Sequence, residues 1–150
     1  MLIRTHVVFS VPLILVLLEY AENKLLFGIV VLIATILPDL DSGKSSFGRH
    51  LIFRPFQLFT KHRGVLHSFT IAVLLSLLIN YFWPLLGFGF FVGYSGHLIL
   101  DALTREGIRP FWPLEFRVSG RIKTGGRIEE IFLMVLIGVS LFLVLSGLIL

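Results

Sequence analysis

No cysteine occurs anywhere in the 150 residues of the chain. That excludes a disulfide framework and every thiolate metal site, so a metal held by this protein must be held by nitrogen and oxygen ligands. Charge is scarce too: Asp, Glu, Lys and Arg make up 15% of the residues, against about 25% in soluble domains. Repeats, low-complexity segments and a glycine-rich nucleophile elbow are also missing. What fills the chain instead is apolar: 56% hydrophobic residues and a mean hydropathy of +0.95 put it in a bilayer. The net charge of +4 and pI near 9.9 therefore read as topology signals and contacts to anionic head groups, and no nucleic-acid partner is expected.

The apolar residues fall into five runs. The fold class expected is all-α: a polytopic membrane helix bundle with about five transmembrane helices and two interfacial loops, forming a single membrane-embedded domain over residues 1–150. Spans are expected at about 5–20, 24–38, 65–84, 86–104 and 129–149. The first run is short and follows Arg4, as in a cleaved signal peptide, but no small-x-small site follows Leu18 and a retained span is expected. Trp83, Pro84 and Gly87 to Gly89 mark a tight connection, making the third and fourth runs a helical hairpin. The loops are a Ser/Gly-rich stretch from Ser42 leading into an aromatic segment at 51–59, and a basic stretch from Thr104 to Arg127 with an apolar patch at 110–116. Gly87, Gly89, Gly93 and Gly96 are placed for close helix contact, and the small enclosed volume of such a bundle leaves room for a homodimer.

Alternation of five spans brings the polar motifs to one face. Of the thirteen Lys and Arg residues, every one except Lys24 belongs to that face, which the positive-inside rule makes cytoplasmic, together with the N-terminus.

Four of the five histidines lie at span ends on this face, and His50, in the first loop, is the exception. His97 and Asp101, four apart on a helix, project from the same side; they suit either one metal ion or a hydrogen-bonded polar pair. Asp39 and Asp41 follow Pro38 at a helix carboxyl end, a poor place for two anions unless a cation is near. His62 and His67 straddle Gly64, with Arg63 between them offering a planar fork for phosphate or carboxylate, and His6 begins the first span. Ionisable side chains at membrane depth are costly, so their convergence points to a functional site. The ligand set suits one or two ions of zinc, manganese or iron, zinc first.

Thr5-His6, Leu37-Pro-Asp-Leu-Asp41, His62-Arg-Gly-Val-Leu-His67-Ser68 and Gly96-His-Leu-Ile-Leu-Asp101-Ala-Leu-Thr104, followed by Gly107 and Trp112-Pro113, form an ordered set. In it the chain resembles the YdjM-type inner-membrane proteins, from the first span to about residue 130. The resemblance implies a metal-dependent hydrolase and points to His6, Asp39, Asp41, His62, His67, His97 and Asp101 as the functional positions. Thr124-Gly-Gly-Arg-Ile-Glu129 extends the pattern and makes Glu129 a weaker candidate ligand or base.

The chemistry expected is metal-assisted hydrolysis at a cytoplasmic membrane face of the inner membrane. Asp39 or Asp41 would be the base or a bridging ligand, and Arg63, supported by Arg105 or Arg109, would stabilise developing negative charge. The site lies at head-group level, so the expected substrate is a lipid phosphate or a phospholipid ester entering from the bilayer, and membrane lipids are the expected partners. Two other classes compete. A metal ion transporter would place its ligands near mid-bilayer, where these runs carry no charge. A non-enzymatic membrane scaffold would lose stability rather than metal when its histidines are replaced.

Overall fold

The computed structural model describes residues 1–41 and 65–149. His50, His62, Arg63 and the aromatic segment at 51–59 lie outside the described residues. Helix α1 spans Ile3–Leu17, α2 Lys24–Ile36, α3 Phe69–Phe82, α4 Pro84–Ala102 and α5 Arg127–Ile149. The described chain is all-helical, with no strand and only two isolated bridges in the segment between α4 and α5.

Local chemistry sets most of the boundaries. The Asn23 side chain accepts from Leu26 N at 3.0 Å and starts α2, which passes at Pro38 into a 3-10 turn over Leu37–Asp41. Ser68 starts α3, its hydroxyl accepting from Ile71 N at 3.3 Å, so His67 lies in a separate 3-10 turn, Val65–His67, just before the helix rather than in its first turn. Pro84 occupies the first turn of α4, where its missing N–H costs nothing, and the hairpin with α3 is as tight as the sequence suggests.

Three stretches are long and apolar enough to cross a membrane: Ile3–Tyr20, Pro84–Ala102 and Arg127–Gly147. The other two helices, α2 with 13 residues and α3 with 14, are shorter, because each gives way to a 3-10 turn at the polar end. Helix α4 is central and largely buried, whereas α5 is peripheral and largely exposed. Its neighbours α2, α3 and α1 surround α4, while α5 packs chiefly on α1.

Lipid gives apolar side chains little reason to leave it, so helices in a membrane are held by close packing of small residues. The α2–α4 seam shows this. A Cβ at Gly93 would stand 2.2 Å from the Val31 carbonyl oxygen, and Thr35 Oγ1 bridges the seam, donating to Val31 O at 2.8 Å with Gly93 O at 3.4 Å. Ala34, Ala72, Phe90, Tyr94, Leu98 and Ile108 form the buried core beside it. Ile108 comes from the segment after α4, which folds back on the bundle: Thr104 Oγ1 donates to Asp101 O at 2.7 Å, and Ile108 and Val118 exchange two bonds of 2.9 Å. Gly107 turns that segment at φ +57°, where its Cβ position lies 2.2 Å from Val118 O.

Gly93→Ala must push α2 and α4 apart and should cost about 1 to 3 kcal/mol of stability. Gly138 has nothing within 4 Å of its Cβ position, so Gly138→Ala should leave thermal unfolding in detergent unchanged. Equal melting of the two variants would mean that this contact does not hold the bundle together.

Candidate metal centre

Four elements deliver the polar side chains to one end of the bundle: the first turn of α1 brings His6, the turn after α2 brings Asp39, the turn before α3 brings His67, and the last turns of α4 bring His97 and Asp101. His6, His67, His97 and Asp101 are buried, and the Asp39 side chain is 13% exposed. Asp101 lies at the middle. Its Oδ1 is 3.3 Å from His6 Nε2 and pairs with the α-amino group of Met1; its Oδ2 is 3.7 Å from His67 Nε2 and 3.9 Å from His97 Nε2. Asp39 Oδ1 is 3.9 Å from the Nε2 atoms of both His67 and His97.

The orientation of His97 is settled by the backbone. Its Nδ1 lies 2.8 Å from the Thr35 carbonyl oxygen, which can only accept, so Nδ1 carries the proton and, in the neutral ring, the lone pair is at Nε2, facing the carboxylates. This is the arrangement by which a ligating histidine is usually oriented through its second nitrogen. The His6 ring stacks on that of His97 with centroids 3.9 Å apart and planes 9° from parallel. His67 meets His97 edge-on, at 5.5 Å and 70°. The turn that carries His67 is tied down by Tyr94 Oη donating to Leu66 O at 2.7 Å and by Phe69 N donating to Pro110 O at 2.8 Å.

The donors fit a divalent cation. His97 Nε2 and His6 Nδ1 are buried without a hydrogen-bond partner, a state that costs about 1 to 3 kcal/mol per group if nothing else satisfies it. Two triads, His6 with Asp39 and His97, and His67 with His97 and Asp101, each offer ligand atoms within 4.8 Å of one another. Ligands held about 2.1 Å from a shared ion are themselves about 3 to 4 Å apart, so little movement is needed. The two triads share His97, whose one free lone pair, at Nε2, can serve a single ion. Asp39, outside the helices, has its pKa raised above the ordinary carboxylate value by burial, with the charge of Asp101 adding and His6 and His67 opposing.

Of the positions expected from the sequence, the structure brings together His6, Asp39, His67, His97 and Asp101. Asp41 ends the 3-10 turn after α2, and its side chain, like His62 and Arg63, is outside the description. Glu129 stands apart from both triads, accepting hydrogen bonds from Leu2 N, Thr5 Oγ1 and Gly125 N, each at 2.7 Å. Arg105 is exposed, and its Nε donates to Arg121 O at 3.3 Å; Arg109 is exposed as well. Ser68 is a helix cap that donates to Val65 O. Sequence reasoning missed the Thr35 carbonyl, Tyr94 and the α-amino group. A main-chain acceptor has no signature in residue type, but Thr35 and Gly93 do show as small or hydroxylated positions within apolar runs.

A family model described as YdjM inner membrane protein matches residues 1–149. The chain is 30% identical over 118 residues to Inner membrane protein YdjM of Escherichia coli (strain K12), an alignment covering 70% of this chain and 60% of that protein. The protein of the same name from Shigella flexneri gives the same identity and coverage. The chain thus spans 60% of the length of these curated relatives. No solved structure matches it.

Elemental analysis of the detergent-purified protein should find bound metal that is lost in His97→Ala and His67→Ala and retained in His50→Ala. Metal-free wild type after reconstitution with zinc, manganese and iron would leave a helix-bridging polar network as the account of the cluster.

Proposed function

The chain belongs to the YdjM family of inner membrane proteins, and we propose that it is a metal-dependent hydrolase acting on a lipid phosphate or phospholipid ester at the cytoplasmic membrane face. The observation that carries this reading is the pair of buried His/Asp triads gathered at one end of an apolar bundle. His6, His67, His97, Asp39 and Asp101 would hold the ion or ions, zinc being the best match to an imidazole and carboxylate set, with manganese or iron as alternatives. When bound, the metal supplies Lewis-acid polarisation of a phosphoryl or ester oxygen and activates water.

The chain's own groups do the rest. Asp39 lies outside the helices, with burial opposing its ionised form, and is the better placed of the described carboxylates to take a proton from the attacking water. Asp41, two residues further along the chain, is assigned as base or ligand. Arg63 is assigned to the negative charge that develops on the substrate, which a planar guanidinium can meet with two hydrogen bonds. Asp101 and His97 share a helix that is largely buried, so they are held rigidly and serve as ligands.

Membrane lipid as the substrate source is supported by the segment between α4 and α5, where Phe111, Trp112, Leu114 and Phe116 are exposed beside basic residues. Such a surface suits the head-group layer. A site at the helix ends is less suited to a carrier, whose ligands are expected near the bilayer midplane. The basic residues, all but Lys24 on the site face of the five-span arrangement, support a cytoplasmic orientation.

Purified protein with saturating metal, given phospholipids and polyprenyl phosphates in mixed micelles, should release phosphate or the ester product. Asp39→Asn and Asp101→Asn should each lower the rate at least about 100-fold, the scale of a lost acid–base or ligand group. If every lipid is left intact by metal-loaded wild type, the hydrolase reading is wrong; metal uptake by proteoliposomes would then favour a transporter.

A further inference from the structure

Glu129 is a buried acid that the reaction above does not use. It is 1% exposed, and both of its carboxylate oxygens are engaged. Oε2 accepts from Gly125 N at 2.7 Å, reaching back over the start of its own helix, α5. Oε1 accepts from Leu2 N and Thr5 Oγ1, both at 2.7 Å, which belong to a different helix. Leu2 immediately precedes α1, and its carbonyl oxygen takes the amide N–H groups of Thr5 at 2.9 Å and His6 at 3.4 Å. Thr5 adjoins His6 in the chain. One carboxylate oxygen thus grips the α1 entrance at two points, Leu2 and Thr5, in the stretch of chain that leads directly into His6. Because α5 packs chiefly on α1, this grip is where the outermost helix meets the metal ligands.

We propose that Glu129 is a positioning residue for His6, setting the imidazole in the triad it forms with Asp39 and His97. This rests on the metal reading of that triad. A role confined to capping α5 would need only the Gly125 bond; the two bonds to α1 are accounted for by alignment of His6. Partners that orient a ligating histidine affect metal affinity about 10- to 100-fold.

The test is a Co2+ titration of the full chain in detergent, followed by the visible absorption of the bound ion. Glu129→Ala should weaken Co2+ binding about 10- to 100-fold and change the absorption spectrum in the same way as His6→Ala. In a His6→Ala background Glu129→Ala should cost nothing further, since two changes acting through one ligand are not additive. Thr5→Val, which removes a single donor at nearly constant volume, should act in the same direction by a smaller factor, and it decides the question if Glu129→Ala does not fold. Unchanged affinity in Thr5→Val and in any folded Glu129→Ala, or a full additional loss in the double variant, would overturn the positioning role. Wild type that binds no Co2+ would overturn the metal reading itself, and the positioning role with it.

Discussion

Imidazoles and carboxylates withdrawn from water at the end of an apolar bundle must find compensating charge or hydrogen bonds, and the rest of this structure depends on how that demand is met. Asp101 is served on both oxygens, His97 is turned by the Thr35 carbonyl, and His6 is stacked flat on His97. Those distances hold only if α2 and α4 approach closely enough for Thr35 to reach His97, which in turn needs Gly93 against the Val31 carbonyl. Backbone contact in mid-seam and ligand geometry at the bundle end are therefore one constraint seen at two places. A divalent cation is the simplest agent that would satisfy nitrogen lone pairs and carboxylates together.

Much of this was legible in the residues. The absence of cysteine limits candidate ligands to His and carboxylates, and the alternation of apolar runs alone puts His6, Asp39, His67, His97 and Asp101 at one end. His97 and Asp101 could be paired because helical spacing is regular. The boundaries of the second and third helices were harder to place. Apolar content continues through Leu37 and Val65–Leu66, but the backbone there tightens into 3-10 turns under the influence of Pro38 and the Ser68 cap. Periodicity cannot see that change of winding.

The role of Glu129 was the least legible. Its place in a sequence pattern points to a weaker candidate ligand or base; the hydrogen-bond partners it has are a main-chain amide before α1, a threonine hydroxyl and a glycine amide. Only one of those three donors is a side chain. Similarly, Thr104 and Gly107, which stand in the ordered set of motifs read from the sequence, serve the turn that folds Ile108 back into the core. A conspicuous motif can thus mix candidate ligands with groups that hold the surrounding chain in place.

The donors arrive on four separate stretches of chain, from the first turn of α1 to the last turn of α4, and neither triad draws on one helix alone. The five described donors come together only once α4 has joined α1 and α2: the first helical hairpin lacks His97, and α3 with α4 carries His67, His97 and Asp101 but lacks His6 and Asp39. An ion held by donors from both triads would therefore have to wait for α4, whereas α5, which brings no donor to either triad, is not needed to complete the set.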